Sequence, residues 1–178
     1  MNTRRHCVVG LLASAALGRA AAQAPELVAP NVVPIDDRLV TSGQPQATAL
    51  ASLSRLGFQA VISLAPADAP DAVADEPALL QAQGIDFVHL PVAFDVPSER
   101  DFEALSAALR QHAGRRVLVH CQVNMRASTL VFLHRAIVRR EDPAGAWEAV
   151  TRVWLPRGPW QALIVSTLRR HGVAFDPY

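Results

Sequence analysis

One short stretch of this sequence carries residue types able to do covalent chemistry. Residues 119–128 read VHCQVNMRAS, and four residues, Gln122, Val123, Asn124 and Met125, separate Cys121 from Arg126. An apolar run (VLVH) ends at His120, and an apolar helical pattern follows the arginine. Strand, short loop and helix in that order aim several backbone N–H groups at one point and add the positive end of a helix dipole. An oxyanion fits there, and so does a thiolate. Free cysteine has a pKa of about 8.5, and a helix N-terminus with a nearby cation lowers it to roughly 3.5–7.5. Cys121 is therefore the candidate nucleophile. Arg126, at the far end of the loop, can grip two oxygens of one phosphate with its planar fork. The plain alternatives are a buried core cysteine and a surface arginine in a first helical turn. The dipole disfavours a cation at that end unless an anion is present. His120 reads as a structural residue that hydrogen-bonds the loop.

Such a loop needs a scaffold, and the surrounding pattern predicts one. Strands are expected at residues 39–42, 58–64, 86–92 and 117–120. A helix is expected over 46–56, with Leu50, Leu53 and Leu56 on one face and Gly57 as its stop. A second helix spans 76–83 and stops at Gly84. The capping-box pattern of Ser98 with Asp101 opens a third over 98–112, with Phe102, Leu105 and Leu109 facing the core. The helix over 127–139 is apolar almost all round and should be central; two more follow at 143–153 and 159–171. Trp147 and Trp154 are seven apart and are expected to share a helix face. Together with Trp160 they read as core packing. Asp36 and Asp37 read as turn residues. Strands alternating with helices predict a single-domain α/β fold, a mostly parallel central sheet with helices on both faces. Ligands then bind beyond the carboxyl ends of the strands.

The chain of 178 residues is 51% apolar and 19% charged, a globular composition with room for one proper core. Residues 1–22 read as a signal peptide: Arg4, Arg5 and His6, then an apolar run from Cys7 to Leu17, then small residues. The run TRRHCVV also resembles a twin-arginine export signal. The expected location is periplasmic or secreted, without stable membrane insertion after cleavage; an uncleaved anchor is the alternative. Removing 1–22 takes three arginines and no acid, so the formal charge falls from +1 to −2. Nucleic acid is then not an expected partner. Cys7 leaves too, so Cys121 is the lone thiol of the mature chain, with no partner for an internal disulfide. The histidines His89, His112, His134 and His171 show no metal-ligand spacing. Residues 23–34, rich in proline and alanine, read as a leader into the domain.

The strand, the His-Cys pair, the arginine and the following helix resemble the signature loop of the cysteine-based protein tyrosine and dual-specificity phosphatases. The segments DRLVTSGQP (37–45) and LGFQAVISL (56–64) resemble the opening of a bacterial phosphatase-like family. That family is related to the domain found beside beta-lactamase-like hydrolases. The resemblance covers residues 31–172. It implies a phosphatase-like fold and hydrolysis of phosphate monoesters, phosphotyrosine among them, through a cysteinyl-phosphate intermediate. The substrate is then a phosphorylated protein or a small phosphate ester, and no cofactor or metal is required. The Gln122–Arg126 backbone and the Arg126 side chain hold the equatorial oxygens. The family places its general acid on a loop before the helix that precedes the signature, which makes it Asp95 here, with Asp101 as runner-up. Relatives place a Ser or Thr directly after the arginine to help the thiolate leave. Ala127 stands there in this chain, so the role passes to Ser128. Relatives also have five residues between cysteine and arginine, against four here. Four is the gap of rhodanese-type sulfurtransferases, so a Cys121 persulfide remains an alternative, as does a non-catalytic phosphate-binding module.

Overall fold

In the computed structural model, which describes residues 26–178, one five-stranded sheet has the order β1-β2-β5-β3-β4. The expected signal peptide lies outside the described residues. Among those described, no helix is long and apolar enough to cross a membrane. The strands are β1 (Val33–Pro34), β2 (Leu39–Ser42), β3 (Ala60–Ser63), β4 (Asp86–His89) and β5 (Val117–His120). The helices are α1 (Ala47–Leu50), α2 (Glu76–Gln81), α3 (Glu99–Gln111), α4 (Met125–Leu133), α5 (Pro143–Thr151) and α6 (Pro159–Arg170). Strands β2, β5, β3 and β4 are parallel; only β1 runs antiparallel. The α/β fold with a mostly parallel sheet is as expected.

Alternation along the strands creates the two covered faces. Leu39, Ala60, Ile62, Val117 and Val119 face one layer, packed under α3, α4, α5 and α6 with Phe102, Leu105, Leu130, Trp160 and Ile164. Val40, Val61 and Leu118 face the other, under Leu50, Leu53 and Leu80. Strands β2, β3 and β5 are buried on both faces, and β3 and β5 accordingly read as nearly continuous apolar runs, whereas the edge strand β4 is only partly buried. The register aligns the strand ends: Ser42 and Ser63 both pair with His120, and His89 pairs with Ser63. The carboxyl ends of four parallel strands thus open on one edge, where the loop after β5 sits.

Several boundaries differ from expectation. The helix over 46–56 is two pieces, α1 and a 3₁₀ turn at Leu53–Leu56. Between them the Ser52 hydroxyl donates to the Ala49 carbonyl at 2.9 Å and competes with the helical ladder. Strand β4 ends at His89 rather than residue 92, because Pro91 has no N–H for the ladder. Part of the expected leader is β1, paired with β2 through Val33–Thr41 and Pro34–Val40. The central helix starts at Met125, two residues earlier than expected, and its last turn, His134–Val138, is π-helical. Trp147 and Trp154 do not share a helix. Helix α5 ends at Thr151, as Pro156 disfavours helical geometry in Leu155 before it. Trp147 packs on Phe132, Phe175 and Tyr178, while Trp154 packs on Phe94 and Trp160.

Candidate active site

The loop from Cys121 to Asn124 is held from outside by segments distant in sequence. The Cys121 amide donates to the Ser42 carbonyl at 3.2 Å, and the Leu64 amide to the His120 carbonyl at 2.8 Å. The Gln44 amide donates to the Gln122 carbonyl at 3.0 Å. The Asn31 side-chain amide donates to the Val123 carbonyl at 3.0 Å. In a trans peptide the N–H points opposite to the carbonyl before it. Tying the Gln122 carbonyl to Gln44 therefore turns the Val123 N–H to the other side of the loop. Asn124 then reverses the chain in the left-handed region, at φ 70, which asparagine tolerates better than most residues. Its side-chain amide donates to the Asn31 carbonyl at 2.6 Å and to Thr41 Oγ1 at 3.0 Å. Helix α4 starts at once. Its first helical acceptor, the Asn124 carbonyl, takes the Ser128 amide at 2.9 Å. The amides of Met125, Arg126 and Ala127 precede that bond and are unsatisfied by helix geometry. Cys121 sits at the base of this array, 0% exposed.

Gly43 marks how tightly the loop is gripped. A Cβ there would lie 2.8 Å from the Gln122 carbonyl oxygen and 2.8 Å from Pro30 Cβ. Gly43→Ala must move the loop or break its anchoring. It is expected to lower stability by about 1–3 kcal/mol, the usual cost of forced overpacking. A denaturant midpoint unchanged from wild type would show that the loop gives way freely.

Beneath the loop lies a buried polar group that sequence reasoning missed. His120 Nε2 is 2.8 Å from Glu76 Oε1, with both side chains buried. The two atoms are at ion-pair distance but are not aligned as a hydrogen bond. Gln44 Nε2 donates to the other oxygen, Glu76 Oε2, at 3.0 Å. Glu76 thus ties β5 and the segment after β2 to the start of α2, and His120 is held from below rather than by the loop itself. Glu76→Ala is expected to strand two buried groups, at about 1–3 kcal/mol each. Glu76→Gln keeps an acceptor and should lose less. Thermal unfolding of both variants checks the order; equal losses would remove Glu76 from this role.

Arg126 projects from the first turn of α4 and is 7% exposed. Its guanidinium carbon lies 5.2 Å from the centre of the Phe94 ring, a cation–π arrangement. Phe94 in turn packs against Trp154 and Trp160. The loop carrying it is anchored by Trp160 Nε1, which donates to the Phe94 carbonyl at 2.8 Å. Trp154 Nε1 donates to Thr129 Oγ1 on α4 at 3.2 Å. Among the described residues Arg126 has no acidic partner, and its buried Nε has no acceptor. A buried, unpaired cation beside a helix N-terminus is a place prepared for an anion.

The remaining candidates stand further off. Asp95 follows Phe94 directly but is exposed, and it lines a shallow groove with Ser98, Pro159 and Arg170. Asp101 is committed elsewhere: its Oδ2 accepts from the Ser98 amide at 2.7 Å and the Ser98 hydroxyl at 2.8 Å. The Ser128 hydroxyl donates to the Met125 carbonyl at 3.2 Å, inside its own helix. The structure therefore brings together Cys121, the loop 122–125, Arg126 and His120. Asp95 is connected to this group only through its neighbour Phe94, which packs on Arg126.

Comparison with known proteins places the family and the fold among the phosphatase-like ones. A beta-lactamase hydrolase-like protein of Xylella fastidiosa (strain Temecula1) is 31% identical over 110 residues, 60% of this chain and 25% of that protein. The chain thus spans about a quarter of the length of the curated relatives it matches. An inferred phosphatase (DUF442) of Shewanella putrefaciens CN-32 has a similar structure, with a TM-score of 0.74 and 31% identity. The match covers 80% of this chain and 94% of that one. The fold is also that of TpbA from P. aeruginosa, at a TM-score of 0.61 and 22% identity, covering 77% of this chain and 84% of that one. Residues 33–153, which hold every element from β1 through the signature loop to the end of α5, match the family model described as a DSP-PTPase phosphatase fused to NAD+ kinase, and the chain belongs to that family.

Proposed function

We propose that the protein hydrolyses phosphate monoesters through a cysteinyl-phosphate intermediate. The observation that supports this most is the unpaired Arg126, buried beside unsatisfied helix amides at the loop that begins with Cys121. The Cys121 sulfur attacks phosphorus, and the bond from phosphorus to the ester oxygen breaks. Asp95 donates a proton to the departing oxygen. The Val123 amide, the first amides of α4 and the Arg126 fork hold the equatorial oxygens, whose charge the helix dipole also favours. Water then attacks the phosphorus, Asp95 takes its proton, the S–P bond breaks and inorganic phosphate leaves. No cofactor takes part.

The substrate class is a phosphorylated protein or a small phosphate ester, met outside the cytoplasm if residues 1–22 direct export. Two structural neighbours support that breadth. A Cys-to-Ser form of P. aeruginosa TpbA was solved with phosphotyrosine, and S. cerevisiae SIW14 is a PP-IP phosphatase. The four-residue gap between Cys121 and Arg126 keeps one rival reading, sulfur transfer through a Cys121 persulfide. Rapid quench with an aryl phosphate, followed by mass spectrometry of the Cys121 peptide, tests both. The expected result is the gain of one phosphoryl group. A gain of one sulfur atom after thiosulfate, with no phosphoryl adduct, makes the protein a sulfurtransferase. No adduct from either donor leaves only a binding module.

A further inference from the structure

At the opposite edge of the sheet lies a second cleft, of about 500 Å³. Its floor is apolar, formed by Leu39 and Val117, where β2 and β5 begin, and by Leu109 of α3. The same strands end at Ser42 and His120, three residues further on, so the cleft lies about 10 Å of strand away from the loop. The π-helical turn His134–Val138 forms part of the wall. Such turns often occur at functional positions.

Four arginines and two aspartates line this cleft. Arg115 pairs with Asp86, and Arg139 pairs with Asp36 and Glu141. Asp36 is thereby neutralised, and it also accepts from the Arg38 and Leu39 amides at 2.8 Å each. Asp37 is exposed at the rim. Arg38 and Arg110, both exposed at the mouth of the cleft, have no acidic partner among the described residues. Arg38 Nη1 lies over Gly114 in the turn after α3, which carries Arg110 in its last turn. The two free guanidinium groups therefore flank one floor.

A histidine supplies a separate observation. His112 is 4% exposed and lines the cleft. Its Nδ1 is 3.3 Å from Arg115 Nη1. The same Nδ1 is 3.8 Å from Asp86 Oδ2, so this side of the ring is occupied by the Arg115–Asp86 pair. The other ring nitrogen, Nε2, is buried and has no hydrogen-bond partner among the described residues. His134, in the same wall, is held down to about 4 by burial first and then by Arg139 and Arg110, with Glu141 opposing. The site thus combines an apolar floor, two unpaired arginine forks and a buried ring nitrogen without a partner. An apolar pocket with a few convergent polar groups is the ordinary form of a small-ligand site.

We propose that this cleft binds a small organic oxyanion, its acidic group held by Arg38 and Arg110 and its apolar body resting on Leu39, Leu109 and Val117. The site is separate from the Cys121 loop and does not depend on the reaction assigned there.

Phenylphosphonate, which cannot be hydrolysed, serves as the probe, followed by backbone amide NMR of the full chain. Gly114, Val117 and His134 report on the cleft, and Gln122 to Arg126 on the loop. The expected result is saturable shifts at the cleft reporters, with inorganic phosphate at least about tenfold weaker because it buries no apolar surface. Arg38→Ala with Arg110→Ala should remove the cleft shifts and leave the loop shifts and aryl-phosphate hydrolysis unchanged. Should the double variant fold poorly, Arg38→Gln and Arg110→Gln singly should each weaken cleft binding several-fold. Cleft reporters that do not saturate, shifts that survive loss of both arginines, or inorganic phosphate binding as tightly as the probe would each overturn the assignment.

Discussion

Cys121→Ser is expected to abolish turnover while leaving phosphate binding in place. A serine hydroxyl is far from ionised at neutral pH and cannot replace a thiolate. The loss should be on the order of 10⁴- to 10⁶-fold, as when other enzymes lose a nucleophile or its activating partner. The binding elements are untouched, because Arg126 and the first amides of α4 do not involve the thiol. The variant should therefore still bind vanadate or phosphate, more tightly if thiolate repulsion is relieved. Some stability is lost as well, since the fully buried hydroxyl needs a partner. Arg126→Ala should behave differently and lose both affinity and rate. A merely structural cysteine reverses the pattern, lowering the melting temperature while hydrolysis continues. Steady-state kinetics, calorimetric titration with phosphate and thermal melts on the same two variants separate these cases.

Asp95→Asn should slow hydrolysis by roughly 100- to 10,000-fold for esters with poor leaving groups, the usual reach of a general acid. Esters whose leaving oxygen is already a stable anion need little protonation and should lose far less. The discriminating measurement is the slope of log kcat/KM against leaving-group pKa, which should steepen in the variant. Asp95 is exposed on the loop whose preceding residue covers Arg126, so it can meet the leaving oxygen from the solvent side. A uniform loss across all leaving groups would remove Asp95 from this role. Asp101 would not inherit it, because its carboxylate caps α3.

The central loop was legible because its signals are local. The apolar run ending at His120, the cysteine, the arginine and the helical pattern beyond lie within a dozen residues or so, and each has a direct structural meaning. The parallel sheet was legible for the same reason, as each strand is a short apolar run bounded by its own turn residues. What escaped was set by contacts between distant segments. Glu76 opens a short helix, and nothing beside it in sequence marks it as buried. Only the β3–β5 pairing carries it under His120, and only the turn after β2 brings Gln44 to its other oxygen. Asn31 and Thr41 clamp Asn124 through β1 and β2, and nothing near Asn124 announces that. The start of α4 was misplaced because a left-handed asparagine ends the loop two residues sooner than the apolar pattern suggests. Trp154 does not share a helix face with Trp147, because α5 ends at Thr151, and it buttresses Phe94 instead.

The sheet order also constrains how the chain is made. Strand β5 is the middle strand of the sheet but the last to emerge during synthesis. Until residue 120 has been added, β2 and β3 have no strand between them, and the sheet is two fragments, each with an open edge of unpaired backbone. Those edges consist of buried, apolar residues such as Val40, Val61 and Ile62, a template for pairing with another chain. The insertion that closes the sheet also carries Cys121 to its carboxyl edge, so one strand both covers the open edges and places the start of the loop. A holdase that protects these edges before β5 arrives should therefore raise the yield of active protein more than that of total protein.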